Sequence, residues 1–229
     1  MEKPIIFSTE MVKAILADRK TKTRRLNGLK EINENPDEWD LQSFEVDPEL
    51  MAWDKNGDCY PRVKKGLIAT FENNELGEVY RNIKCPWEVG DILWVRETWN
   101  QTLNTETDEL GYVYKEQMLR ENVIYTDLDD DPIKWQPSIF MPRTAARLFL
   151  KVKDIRVERL QDITEEDAIA EGILWNRARK INELEKSNNI IDNAKALFMR
   201  LWDSINSKRG YGWDLNPWVW VVEFERVEV

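Results

Sequence analysis

The stretch Ile15-Leu16-Ala17-Asp18-Arg19-Lys20-Thr21-Lys22-Thr23-Arg24-Arg25 sets five cations in the seven positions from Arg19 to Arg25, directly after an apolar run. As an extended strand it puts Lys20, Lys22 and Arg24 on one face and points Lys20 and Thr23 apart; as a helix or turn it brings Lys20 and Thr23 together at i, i+3. A lysine beside a threonine hydroxyl is a usable catalytic pair, because a desolvated or cation-crowded lysine loses its proton near neutrality and then acts as a base. The same cluster also reads as a solvated basic surface just past a helix C-terminus, where the macrodipole favours cations.

Upstream, Thr9 is expected to cap a short helix in which Met11, Val12, Ile15 and Leu16 form an apolar stripe, with Glu10 suited to its first turn and an end near Asp18. Downstream the charge reverses. Residues 26–58 hold ten acids against two lysines, and residues 100–137 hold nine acids against three bases. The net charge of −10 therefore hides a basic segment, since residues 1–25 carry seven bases and three acids. So acidic a chain is a poor match for broad nucleic-acid binding, which draws its affinity from neutralised phosphates, but a local basic site remains. The two acidic segments are expected as surface insertions, about 26–65 and 100–137, because such charge density is not buried without partners.

The 229 residues suffice for a single domain with one substantial core. With 42% hydrophobic and 33% charged residues the composition is that of an ordinary globular chain. No apolar run approaches the ~18 residues of a membrane span. Met1-Glu2-Lys3-Pro4 leads into a mixed segment rather than a secretory leader, and two cysteines, Cys59 and Cys85, suit a reducing cytoplasm, the expected location. The chain has no histidine, which excludes Ser-His-Asp and Cys-His catalysis and every zinc site that needs imidazole. Chemistry falls to Lys, Thr, Ser, Glu, Asp, Tyr or Arg, and neither a metal nor a cofactor is expected.

Strands are expected over 66–71, 79–84, 92–99, 112–114, 146–153, 155–159 and 218–224. In the third, Trp94, Arg96 and Thr98 share one face and Leu93, Val95 and Trp99 take the other. Thr164-Glu165-Glu166-Asp167 is a capping-box pattern that starts a helix over about 165–171, stopped by Gly172. Ala194, Leu197, Phe198, Leu201, Trp202 and Ile205 repeat at i, i+3, i+4, i+7, i+8 and i+11, with Asp192 where an N-cap falls. Short strands with a few helices and no strict alternation indicate an α+β arrangement or a β-barrel.

Glu171 faces the negative end of its own helix dipole, an arrangement that marks either a functional position or an exposed glutamate. Of the eleven tryptophans, among them Trp175, Trp218 and Trp220, some suit base stacking and most suit packing, and Trp218 and Trp220 share a side that reads as core. The glycines of Lys208-Arg209-Gly210-Tyr211-Gly212-Trp213 fit no phosphate-loop pattern, and Asp129-Asp130-Asp131 reads as an acidic loop.

The Ile15–Arg25 stretch resembles the signature of ASCH domains, whose fold is a PUA-like β-barrel and which are linked to RNA and modified nucleosides. Lys20 and Arg25 match the family pattern Gly-x-Lys-x-x-Glu-x-Arg, while Asp18 replaces its glycine and Thr23 its glutamate. The threonine variant is similar to the bacterial 4-N-acetylcytidine amidohydrolases, in which a lysine, a threonine and a glutamate are the proposed catalytic residues. Ile163-Thr164-Glu165-Glu166-Asp167-Ala168-Ile169-Ala170-Glu171 resembles their Leu-Thr-Glu segment and brings Glu171 to the glutamate position, and Trp220-Val221-Val222-Glu223-Phe224 resembles their last strand. Val95-Arg96-Glu97-Thr98-Trp99, Pro137-Ser138-Ile139-Phe140-Met141-Pro142-Arg143 and Gly212-Trp213-Asp214-Leu215-Asn216-Pro217-Trp218 resemble a longer phage and prophage branch of the family over nearly the whole chain.

The resemblance implies one domain over 1–229, an α+β PUA-like barrel (ASCH fold) with short flanking helices and the two acidic insertions. It implies a hydrolase of the amide of 4-N-acylated cytidine with Lys20, Thr23 and Glu171 as catalytic residues. Arg19, Lys22, Arg24, Arg25 and Arg143 are the expected substrate-binding cations, Arg24 at the rim. The competing expectation is a non-catalytic module that binds single-stranded RNA or a modified base in the same basic cleft. The expected partner is a nucleoside or single-stranded RNA, with no membrane.

Overall fold

The computed structural model describes residues 1–53, 59–63, 65–104, 109–121, 133–173 and 194–228, with the backbone course alone for 52–53, 59–63, 103–104 and 109–110. The expected cap Asp192, Trp175 and the run Asp129-Asp130-Asp131 lie outside the described residues. Two compact units emerge: Met1–Thr21, Gly90–Val152 and Phe224–Val229 form the first, and Lys22–Val89 with Lys153–Glu223 the second.

In the first unit, β1 (Glu2–Ile6) lies parallel to β8 (Ile92–Arg96), and β8 pairs antiparallel with the opening residues of β11 (Phe149–Arg159). Gly90, at φ 89°, supplies the left-handed turn before β8. Alternation runs as the sequence predicts, with Leu93 and Val95 buried and Trp94 and Arg96 half-buried. The expected single strand is interrupted at Glu97-Thr98 and resumes as β9 (Trp99–Asn104), antiparallel to β10 (Glu109–Tyr114), which runs into α2 (Lys115–Glu121). Helix α1 (Thr9–Leu16) buries Val12, Ala14 and Ile15. Its cap is Ser8 rather than Thr9: Ser8 is extended (ψ 161°) and its hydroxyl accepts from the Met11 N–H at 3.4 Å.

In the second unit, β2 (Lys22–Arg25) pairs antiparallel with β12 (Trp218–Val227), Val222 opposite Thr23 and Trp220 opposite Arg25. Strands β3 (Trp39–Val46), β6 (Leu67–Asn73) and β7 (Tyr80–Lys84) make an antiparallel sheet, and β4 (Glu49–Trp53) pairs with β5 (Cys59–Val63). The first acidic stretch is therefore partly built into a sheet. Leu29, Ile32 and Trp39 within it are buried, while Glu31, Glu34, Asp37, Asp40, Glu45 and Glu49 are exposed, so its charge stays in water as desolvation requires.

Strand β12 is buried on both faces along Trp218–Val222, and the Asn33 amide pins its start by donating to the Trp218 carbonyl (2.9 Å) and accepting from the Trp218 N–H (2.7 Å). Helices α3 (Glu165–Ala170) and α4 (Ala194–Asn206) share a core in which Ala168, Phe198 and Trp202 meet Val219 and Val221. The strands expected over 146–153 and 155–159 are one, β11. Its apolar alternation, Leu150 and Val152, slips phase at exposed Lys153 and Asp154 before Ile155 and Val157, which in the sequence reads as a break. The fold is a mixture of strands and helices, and no sheet among the described residues closes into a barrel. No helix among them is long and apolar enough to cross a membrane.

Candidate functional site

The second unit assembles a charged cluster from β2, β11, α3 and β12. Because Lys22–Arg25 is a strand, Lys22 and Arg24 leave one face and Thr23 and Arg25 the other, and the helical alternative for this segment does not apply. Helix α3 begins as expected: Thr164 is extended, and its hydroxyl accepts from the Asp167 N–H at 3.1 Å. Glu171 is the C-cap, its N–H donating to the Asp167 carbonyl at 2.9 Å, and Gly172 at φ 95° turns the chain away. These two caps fix Asp167 and Glu171 one helical turn apart on the same face.

Arg24 is the centre of the cluster. Its side chain has no exposed surface, and it donates to Glu158 Oε1 (2.6 Å), Asp167 Oδ2 (2.8 Å) and Glu171 Oε1 (3.3 Å), with the Phe198 ring centroid 5.7 Å from the guanidinium carbon. This corrects the expected rim position: the alternation of β2 turns Arg24 inward onto α3. Lys22 donates to Asp167 Oδ1 at 2.8 Å and lies 3.4 Å from Glu223 Oε2. Arg156 donates to Glu158 at 2.8 Å and also to Asp167.

The electrostatics follow from these pairs. Burial pushes the Asp167 carboxyl up, but Lys22, Arg24 and Arg156 together hold it below its usual 3.8. The hydrogen bond to Asp167 raises the Lys22 ammonium above 10.5. Burial pushes the Arg25 guanidinium down to about 10, with the field of Glu171 acting the other way. Lys22, Arg24, Arg25 and Arg156 thus answer Glu158, Asp167, Glu171 and Glu223 charge for charge.

Thr23 and Glu171 are buried at 3% and 6% exposure in the second unit. Lys20, buried at 2%, belongs to the first unit, where its amine lies 5.6 Å from the Phe7 ring centroid and its N–H donates to the Ala14 carbonyl at 3.2 Å. Arg19, half-buried, also donates its N–H to Ala14, at 2.9 Å. Arg143 sits in the first unit as a surface ion pair, its guanidinium on Glu2 at 2.7 and 3.0 Å and over the Phe149 ring at 4.4 Å.

Sequence reasoning missed Asp167, Glu158 and Arg156. Asp167 reads as a capping-box partner, yet its carboxylate is spent on three cations from other elements. A second buried ionic group lies in the first unit, where Arg147 grips Glu97 with two bonds of 2.9 Å and reaches Glu116 at 3.2 Å. Its guanidinium carbon stands 4.1 Å from the Tyr114 ring centroid. Burial raises the Glu97 carboxyl against the pull of Arg147, and it drives the Tyr114 phenol up to about 12. The signal for Glu97 was in the alternation: a residue two after Val95 continues the buried face.

Among the described residues no group of three or more Cys, Asp or Glu is arranged to hold a metal ion. No protein-family model matches the chain, and no curated protein or solved structure matches it significantly.

Proposed function

We propose that the protein is a PUA-like ASCH protein that hydrolyses the amide of 4-N-acylated cytidine, with Thr23, Glu171 and Lys20 as its catalytic residues. One observation carries this reading: a buried hydroxyl, Thr23, shares a strand face with a desolvated guanidinium, Arg25, and the residue between them, Arg24, donates from the other face to the buried carboxylate of Glu171 at 3.3 Å. Amide cleavage needs those three functions, a nucleophile, a donor for the oxyanion and a group that handles the leaving amine.

Thr23 Oγ attacks the acyl carbon as the base takes its proton, Arg25 meets the oxyanion, and Glu171 holds the exocyclic nitrogen. The C–N bond breaks as the base returns that proton to the nitrogen, releasing cytidine; water then cleaves the threonine ester to the carboxylic acid and restores the hydroxyl. The family resemblance alone gives Lys20 the role of base. No step calls for a histidine or a metal.

The charge balance of the described cluster in the second unit weighs against the binding-module reading. Phosphate binding draws on unspent cations, whereas Lys22 is already tied to Asp167 and Glu223, and Arg24 to three acids. The test is incubation of purified protein with 4-N-acetylcytidine, chromatography for cytidine, and a parallel titration with a short single-stranded RNA at two salt concentrations. Cytidine release without salt-sensitive RNA binding is expected. Salt-sensitive RNA binding without release would replace the hydrolase by the binding module.

A further inference from the structure

We propose that Arg24 is the positioning residue for the Glu171 carboxylate, an inference that rests on the functional reading above. For stability alone the arrangement is a poor choice, since a buried ionic group is often matched or bettered by apolar residues of similar volume. Here three carboxylates surround one guanidinium with no exposed surface. A local rule broken in this way marks a position held for function.

The bonds divide the task. Nη2 of Arg24 is taken by Glu158 and Asp167, at 2.6 and 2.8 Å, and both acids are braced by Arg156, with Lys22 as a further brace on Asp167. That pair of short bonds fixes the plane of the guanidinium, and Nη1 then points at Glu171 Oε1 at 3.3 Å. A planar, delocalised fork sets the direction of a carboxylate as well as its distance, which a lysine at the same place cannot fully reproduce. Arg24 leaves β2 on the face opposite Thr23 and Arg25, so its influence on the acyl group runs through Glu171.

The experiment measures 4-N-acetylcytidine hydrolysis and urea unfolding for Arg24→Gln, Arg24→Lys, Glu171→Gln and the double variant Arg24→Gln/Glu171→Gln. Arg24→Gln is expected to lower kcat about 10- to 100-fold with KM changed less than about twofold, and Arg24→Lys to recover part of the loss. The double variant is expected to be no slower than Glu171→Gln, because positioning acts only through the residue positioned. A double variant slowed by the full Arg24→Gln factor, or an Arg24→Gln protein with wild-type kcat, overturns the proposal. Should Arg24→Gln not fold, Glu158→Gln loosens the guanidinium while keeping both partners, and the same comparison on the Glu171→Gln background decides. If the wild type releases no cytidine, the functional reading alone falls. The urea cycle then judges the Arg24–Glu171 link: non-additive effects support it and additive effects overturn it.

Discussion

At Thr23 a single side-chain oxygen is the proposed nucleophile. Thr23→Ala removes the hydroxyl without touching charge, so turnover of 4-N-acetylcytidine is expected to fall about a thousandfold or more while its affinity changes little, and Thr23→Ser to keep measurable turnover. Steady-state kinetics on the three proteins checks this. The Lys22–Asp167 pair carries a pH dependence of known sign. Asp167 is held below 3.8 in the folded chain, so its contribution is present above that value and is lost as pH falls through the folded value. Lys22 is held above 10.5, so its contribution is present below that value and is lost as pH rises through the folded one. Lys22→Met is therefore expected to lower the urea midpoint at about pH 7, and the gap from wild type to narrow as pH falls below 3.8 and through the lowered value of Asp167. An equal gap at both pH values contradicts the pairing.

Among the elements, those with a local signal were legible. The spacing of Ala194, Phe198 and Trp202 gave α4, Thr164 gave the start of α3, and the run Trp218–Phe224 gave the buried strand β12. What local signals left out was longer in range. The joined strand β11 depends on a phase slip that reads as a break, and the place of β3 in a sheet depends on pairing with β6 across an acidic stretch. Asp167 and Arg24 could be seen as charged residues, but their burial depends on each other across 143 positions, and on Glu158, which lies 134 positions from Arg24. Neighbouring candidates at the helix start are also separated only by geometry. Ser8→Ala is expected to cost about 1 kcal/mol and Thr9→Ala a fraction of that, because Ser8 makes the cap. On β12, Asn33→Ala leaves the buried N–H and C=O of Trp218 without their amide partner, for an expected loss of about 2–4 kcal/mol. Equilibrium unfolding of the three variants measures all of these.

Over the whole molecule, a net charge of −10 stands beside a basic stretch at Arg19–Arg25, two of whose five cations are paired with acids of other elements. Lys22 and Arg24 answer acids of α3, β11 and β12 within the second unit, while Arg143 answers Glu2 in the first. On the proposed reading, cations already paired with acids gain little from a phosphate backbone, and the substrate is an uncharged acyl amide. Release of cytidine from 4-N-acetylcytidine, compared between wild type and Glu171→Gln at matched fold and concentration, tests this most directly. Turnover by the wild type with a loss of about a hundredfold or more in Glu171→Gln is expected. Equal release by both proteins, or none by either, contradicts the assignment of this site to amide hydrolysis.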